Sequence, residues 1–219
     1  MKKSILLTRS LEENRELKEK LKSKELKIIE CSLIKYELFP VSIEVVNRYD
    51  GLIITSLYAA KNLPRSVNSI MPLWVVGSKS ARILSDKGYK IEACTSTALE
   101  LRNIVLKEEK RKLLYLSGNY ITVEMPYPIT QRIFYNVSYL KKLSDEQIFA
   151  LKKKLDYIIL YSENCAKTLF KLLQEENLMN YLTDTVVIAI STKVGAIFKD
   201  NCKKLIIGDN AEQMLNFIE

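Results

Sequence analysis

A chain of 219 residues, 47% apolar and 27% charged, has the composition of a folded protein with one large or two small cores. It contains no histidine, which excludes Ser–His and Cys–His nucleophiles, His-ligated metals and imidazole relays; any chemistry falls to Tyr, Ser, Thr, Lys, carboxylates or the backbone. The net charge of +8 comes from basic residues mixed with acids, as at 12–27 and 107–112, so it reads first as solvated helix surface, second as attraction for a small polyanion and least as nucleic-acid binding.

From the N-terminus, the apolar run 5–7 passes into Thr8-Arg9-Ser10, and stopping at Arg9 it falls short of the ~7–15 residues of a signal core. Ser10 and Glu13 have the spacing of a capping box, in which side chains satisfy the free amides of a first helical turn. A strand is expected at 27–30, and 32–38 alternates apolar and polar residues, the mark of a strand wet on one face. The run 52–54 ends in Thr55-Ser56, and 73–76 ends in Gly77-Ser78. A strand at 91–94 precedes a second capping-box spacing, Thr97 with Glu100. The run 113–116 enters Ser117-Gly118, 129–137 alternates again, and Ser144 with Gln147 marks another helix start. Runs at 158–160, 186–190 and 205–207 end in Tyr161-Ser162, Ser191 and Gly208-Asp209.

Short unbroken apolar runs fit strands covered on both faces, and strand, short turn, capped helix in repetition predicts an α/β fold with parallel sheets. The two alternating stretches, flanked by Pro40, Pro126 and Pro128, predict a two-stranded connector between two doubly wound, flavodoxin-like lobes. The expected boundaries are 1–31 plus 140–219 for a discontinuous outer lobe, 44–125 for an inner lobe, and 32–43 with 126–139 for the connector; a single wide sheet is the alternative. Cys31, Cys94, Cys165 and Cys202 are scattered without a C-x-x-C pair, as expected of reduced thiols in a cytoplasmic protein. No apolar run approaches the ~18 residues of a membrane span.

In an open parallel sheet ligands sit beyond the carboxyl ends of the strands, where helix N-termini offer free amides to anions. Here those turns carry Thr8, Ser10, Thr55, Ser56, Ser78, Ser80, Ser117, Ser162, Ser191 and Thr192. Each one taken singly reads as a helix cap; together they predict a cleft rich in neutral donors, suited to carboxylates or phosphates. Neither G-x-G-x-x-G nor a phosphate-binding G-x-x-x-x-G-K-[ST] loop is present, and the aspartates are scattered rather than clustered for magnesium.

The order of these turns resembles the uroporphyrinogen-III synthase family over nearly the whole chain. The matching segments are Leu6-Leu7-Thr8-Arg9-Ser10, Asp50-Gly51-Leu52-Ile53-Ile54-Thr55-Ser56 and Leu73-Trp74-Val75-Val76-Gly77-Ser78-Lys79-Ser80-Ala81. Tyr115-Leu116-Ser117-Gly118-Asn119, Ile133-Phe134-Tyr135, Ile159-Leu160-Tyr161-Ser162 and Val187-Ile188-Ala189-Ile190-Ser191 follow in family order. The resemblance implies a two-lobed monomer that needs no cofactor or metal. It implies a reaction on hydroxymethylbilane, a linear tetrapyrrole with eight carboxylates. Water leaves ring A, ring D inverts through a spiro intermediate, and the macrocycle closes as uroporphyrinogen III. It implies Tyr135 as the group assisting departure of the hydroxyl, with Arg9, Thr55, Ser56, Ser78, Ser117, Asn119, Ser162 and Ser191 as substrate contacts. No nucleic-acid or membrane partner is expected.

Two stretches depart from the family pattern. The last turn, often Gly-Pro-Thr-Thr-Ala in the family, reads Ser191-Thr192-Lys193-Val194-Gly195, and Lys193 is a candidate to supply charge there. Residues 120–126 are β-branched and proline-interrupted, a poor helix where the family usually has one. A non-catalytic two-lobed binder of an anionic molecule shares every feature read from composition and periodicity.

Overall fold

The computed structural model describes residues 2–65, 71–108, 110–153 and 155–218. The first elements in chain order are β1 (Ser4–Leu7), α1 (Leu11–Leu21), β2 (Lys27–Glu30), β3 (Ile34–Leu38), α2 (Ile43–Val46), β4 (Gly51–Ile54), α3 (Leu57–Asn62) and β5 (Pro72–Val76). Then come α4 (Ser78–Asp86), β6 (Lys90–Thr95), α5 (Ala98–Val105), β7 (Leu113–Gly118), β8 (Thr130–Tyr139) and α6 (Asp145–Leu151). The chain continues through β9 (Tyr157–Leu160), α7 (Glu163–Glu175), β10 (Val186–Ala189), α8 (Thr192–Gly195), β11 (Lys204–Ile207) and α9 (Ala211–Asn216).

These elements form two compact units, Met1–Lys35 with Ser138–Glu219, and Tyr36–Val137. The first unit holds a five-stranded sheet in the order β11-β10-β9-β1-β2, parallel throughout. Counted within the unit, that is the 2-1-3-4-5 order of flavodoxin-like folds. The second holds a six-stranded sheet ordered β3-β8-β7-β4-β5-β6, parallel from β8 to β6. The alternating strands of the expected connector pair with each other: Phe39 N–H donates to Phe134 O and Leu140 N–H to Leu33 O, one number rising as the other falls, as in an antiparallel pair. That pair also forms one edge of the six-stranded sheet, because β8 pairs with β7.

The unbroken apolar runs behave as their composition predicts: β1, β4 and β9 are buried at all four positions, with helices on both faces. On one face of the first sheet Ile5, Leu7 and Ile159 meet Leu17 and Leu21 of α1 and Met214 of α9. On the other, Leu6, Ile158, Leu160 and Val187 meet Leu169, Leu172 and Leu173 of α7. In the second sheet Leu52, Ile54, Leu73 and Val75 pack on Ala59 and Ala60 of α3 and Leu84 of α4. Ile53, Trp74 and Tyr115 pack on Leu101 and Val105 of α5 on the opposite face. Burying each such side chain contributes about 1.5–3 kcal/mol.

The three expected capping boxes come out differently. Ser144 and Gln147 form the full reciprocal pair. Thr97 accepts from Glu100 N–H, but the Glu100 carboxylate reaches one residue further back, to Ser96 N–H. Ser10 accepts from Glu13 N–H, yet the Glu13 carboxylate binds Ser10 Oγ and Arg9 rather than the Ser10 amide, because a guanidinium stands within reach. Residues 120–126, the stretch expected to make a poor helix, lie within 119–129, which hold neither helix nor strand and contain a cis Tyr127–Pro128 bond.

Candidate active site

Ligand sites in such sheets lie beyond the carboxyl ends of the strands where strand order reverses. In the second unit that point falls between β4 and β7. Thr55-Ser56 follows β4, and β7 ends at Ser117-Gly118 before Asn119. Tyr135 on β8 lies beside Gly118 in the register. This tip therefore gathers five of the sequence-predicted residues. Ser78 stands exposed at the start of α4, after Gly77, whose φ of 88° a side chain would resist.

Tyr135 is 7% exposed. Its ring lies over Gly118 so closely that a Cβ there would sit 2.7 Å from Cζ and 2.9 Å from the hydroxyl oxygen. Tyr58, in the first turn of α3, packs against it with ring centroids 4.9 Å apart, and Tyr36 of β3 stacks on Tyr58 at 4.3 Å. The Thr55 hydroxyl is not free: it shares a 2.8 Å hydrogen bond with the Tyr115 hydroxyl. Burial raises the Tyr115 phenol above its ordinary range; the Thr55 bond opposes this and nearby Tyr135 reinforces it.

Several predicted contacts are already engaged within the protein. Ser56 caps α3 by accepting from Ala59 N–H. Ser117 Oγ accepts from Gln131 Nε2 at 2.9 Å and is buried. Asn119 clamps Val137, donating from Nδ2 to its carbonyl and accepting its N–H at Oδ1. Read locally, Asn119 is a turn residue, and only the pairing of strands beyond it explains the clamp.

In the first unit the order reverses between β1 and β9. Arg9, just after β1, pairs with Glu13 and lies over the Tyr161 ring, its guanidinium carbon 4.7 Å from the centroid. Burial pushes the Tyr161 phenol up to about 12, with Arg9 opposing and Glu13 adding to the shift. Ser162 caps α7 through Cys165 N–H, and Ser191 caps α8 through Val194 N–H. Lys193 forms an ion pair with Glu163 at 2.6 Å, and bonds from Lys167 and Lys193 hold the Glu163 carboxyl below its ordinary range. Thr8 donates to Ile159 O and is fully buried.

The second unit also encloses a cavity of about 410 Å³, walled by apolar side chains such as Leu38, Val41, Leu52, Leu116 and Phe134. It holds none of the predicted site residues and few donors for a polyanion. Among the described residues no group of three or more carboxylates and thiols could hold a metal ion. Tyr36, Tyr58 and Tyr115 are not among the sequence-predicted site residues; the one sequence signal for Tyr58 is its place two residues after the Ser56 cap, which puts it on a first turn.

Residues 15–209 match the family model described as Uroporphyrinogen-III synthase HemD. A protein of Rickettsia prowazekii (strain Madrid E), itself of uncharacterized function, is 32% identical over an alignment 256 positions long, gaps included, that takes in 95% of this chain and 94% of its own. The crystal structure of uroporphyrinogen-III synthetase from Helicobacter pylori 26695 superposes with a TM-score of 0.61 at 17% identity, covering 99% of this chain and 97% of that one. A mutant uroporphyrinogen III synthase from the extremely thermophilic bacterium Thermus thermophilus gives 0.57 at 13% identity, covering 98% and 96%. The two structures share the fold; the family model, spanning most of the sequence, shows more: this chain belongs to the uroporphyrinogen-III synthase family, whose reaction is a cofactor-independent cyclisation of a linear tetrapyrrole with loss of water.

Proposed function

We propose that this chain converts hydroxymethylbilane to uroporphyrinogen III, with the Tyr135 hydroxyl donating the proton that lets the ring-A hydroxyl depart as water. The observation that carries the role is the seating of Tyr135 on β8 beside the tip of β7, one of the two strands between which the order reverses, its hydroxyl close to Gly118. The carbon–oxygen bond breaks with its electron pair going to oxygen, which takes the phenolic proton. The electron-rich pyrrole stabilises the cation left behind. The substituted carbon of ring D attacks that cation, forming the spiro centre, and rearrangement inverts ring D. The closing macrocycle gives up one proton, which restores the phenol, so substrate becomes product plus water with no net proton consumed.

Two tasks divide the catalysis. Bending a flexible chain until its ends meet is worth up to ~7–11 kcal/mol. Proton donation contributes ~10²–10⁴-fold. Thr55, Ser56, Ser78, Ser117 and Asn119 of the second unit, and Arg9, Ser162 and Ser191 of the first, are the proposed carboxylate contacts. Since four of these eight side chains cap helices or clamp strands, and Thr55, Ser117 and Arg9 are bonded to other side chains, backbone amides of the same turns are the donors this reading favours. The interspersed ion pairs, Lys18 with Glu30, Arg111 with Glu108 and Lys193 with Glu163, support a small polyanion as partner rather than nucleic acid. Monomeric, cytoplasmic action belongs to the same proposal; no helix among the described residues is long and apolar enough to cross a membrane.

The test incubates the purified protein with fresh hydroxymethylbilane and separates the products by isomer. Spontaneous closure gives type I, so type III above background supports the synthase, and type I alone favours a binder. Tyr135→Phe is expected to lower turnover to type III by about 10²-fold or more. Wild-type turnover by that variant removes Tyr135 from the role.

A further inference from the structure

Tyr135 sits in a seat made by three other residues, and none of them is among the sequence-predicted site residues. The ring is held from two sides. Its underside lies on Gly118, where even a methyl group would come within 2.7–2.9 Å of Cζ, Cε2 and the hydroxyl oxygen. Its flank meets Tyr58 at 4.9 Å with the planes inclined at 57°. Tyr58 is itself held in a near-parallel stack with Tyr36, 4.3 Å between centroids and 14° between planes. The seat comes from three places in the chain: the tip of β7, the first turn of α3 and the edge strand β3.

An inclined aromatic pair is worth about 0.5–1.5 kcal/mol beyond its buried area, and it fixes ring direction as well as position. A proton donor must lie within hydrogen-bond reach of the departing oxygen, and a misplacement of about 1 Å can cost 10²-fold. A tyrosine near a sheet edge, with two rotatable bonds before its ring, needs such a restraint.

We propose that Tyr58, braced by Tyr36, is a positioning residue for Tyr135, and that Gly118 is required because the phenol ring occupies the space of its side chain. The inference rests on the assignment of Tyr135 as proton donor. The proposed action of Tyr58 is through its ring, the part that meets Tyr135. Tyr58→Phe therefore keeps turnover within about twofold, while Tyr58→Leu lowers kcat roughly 10-fold with little change in KM. Gly118→Ala, which pushes the ring from the other side, lowers kcat in the same manner.

The deciding experiment is a double-mutant cycle on type III formation, using Tyr58→Leu, Tyr135→Phe and the pair, with near-ultraviolet circular dichroism and thermal melting on each variant. If Tyr58 works through the Tyr135 hydroxyl, Tyr58→Leu costs less than about twofold once that hydroxyl is gone. Multiplying losses in the double variant overturn the seat while leaving the proton-donor assignment standing. A loss in Tyr58→Phe equal to that in Tyr58→Leu also overturns it, since the hydroxyl is then what counts. Wild-type turnover by Tyr135→Phe removes both at once. Should Tyr58→Leu fail to fold, Gly118→Ala enters the same cycle with the same criterion.

Discussion

Thr55 and Tyr115 share a single short hydrogen bond, but the two ends stand in different surroundings. Tyr115 is 3% exposed while Thr55 is half-buried, so water can replace the partner of one and not of the other. Thr55→Val leaves the Tyr115 hydroxyl buried and unsatisfied, at a cost of ~1–3 kcal/mol; Tyr115→Phe leaves only a threonine hydroxyl with access to solvent and costs ~0.5–1.5 kcal/mol. Urea unfolding of the two variants checks the order, and equal losses would mean that Thr55 is as dry as Tyr115. The comparison also tells what Thr55 does. If its hydroxyl serves chiefly to satisfy Tyr115, the loss on Thr55→Val is in stability and not in KM. Arg9 makes the same point from a charged residue. The family resemblance implies it as a contact for a substrate carboxylate, yet Glu13 in the first turn of α1 takes the guanidinium.

At the scale of the element, each hydroxyl at a helix start has one side chain and two claims upon it. Ser162 accepts from Cys165 N–H at 3.2 Å and so opens the 13-residue helix α7. Ser162→Ala loses that acceptor and costs about 1 kcal/mol, whereas Ser162→Asp keeps it and adds a charge that the helix N-terminus favours. If this turn meets a carboxylate of the substrate, the aspartate variant is as stable as the parent yet has a KM raised several-fold; an unchanged KM would leave Ser162 as a cap alone. Such caps, and the strands before them, were legible in the sequence because both are local. Unbroken runs such as 52–54 and 158–160 read as strands covered on both faces, and Ser144 with Gln147 read as a reciprocal box, since every partner lies within a few residues. The Asn119 clamp on Val137 and the Tyr36–Tyr58–Tyr135 cluster were not legible. They join residues that only the β7–β8 pairing and the entry into α3 bring together, and one tyrosine of twelve carries no mark of its neighbours. The Ser10 box failed for a related reason: spacing predicts the amide as Glu13's partner, but says nothing of a guanidinium placed to compete for it.

For the molecule as a whole, the net charge of +8 is a property that no single contact explains. Several of its cations are already paired with acids, Lys167 and Lys193 with Glu163 and Lys18 with Glu30, and a cation so engaged does not grip a ligand directly. An excess of this kind acts instead as a field. It draws a polyanion toward the protein from beyond contact distance and raises the rate of encounter by ~10–10³-fold at low ionic strength. Salt shortens that reach, from about 30 Å at 0.01 M to about 8 Å at 0.15 M. The consequence for a substrate with eight carboxylates is specific: kcat/KM for type III formation falls about tenfold across that salt range, while kcat, which begins from substrate already bound, stays constant. A drop in kcat of the same size would mean that salt disturbs the seat of Tyr135 or the bound conformation, not the approach. A kcat/KM indifferent to salt would mean that the positive excess is spread over surface the substrate never meets, and that capture depends on the uncharged amides and hydroxyls of the strand tips.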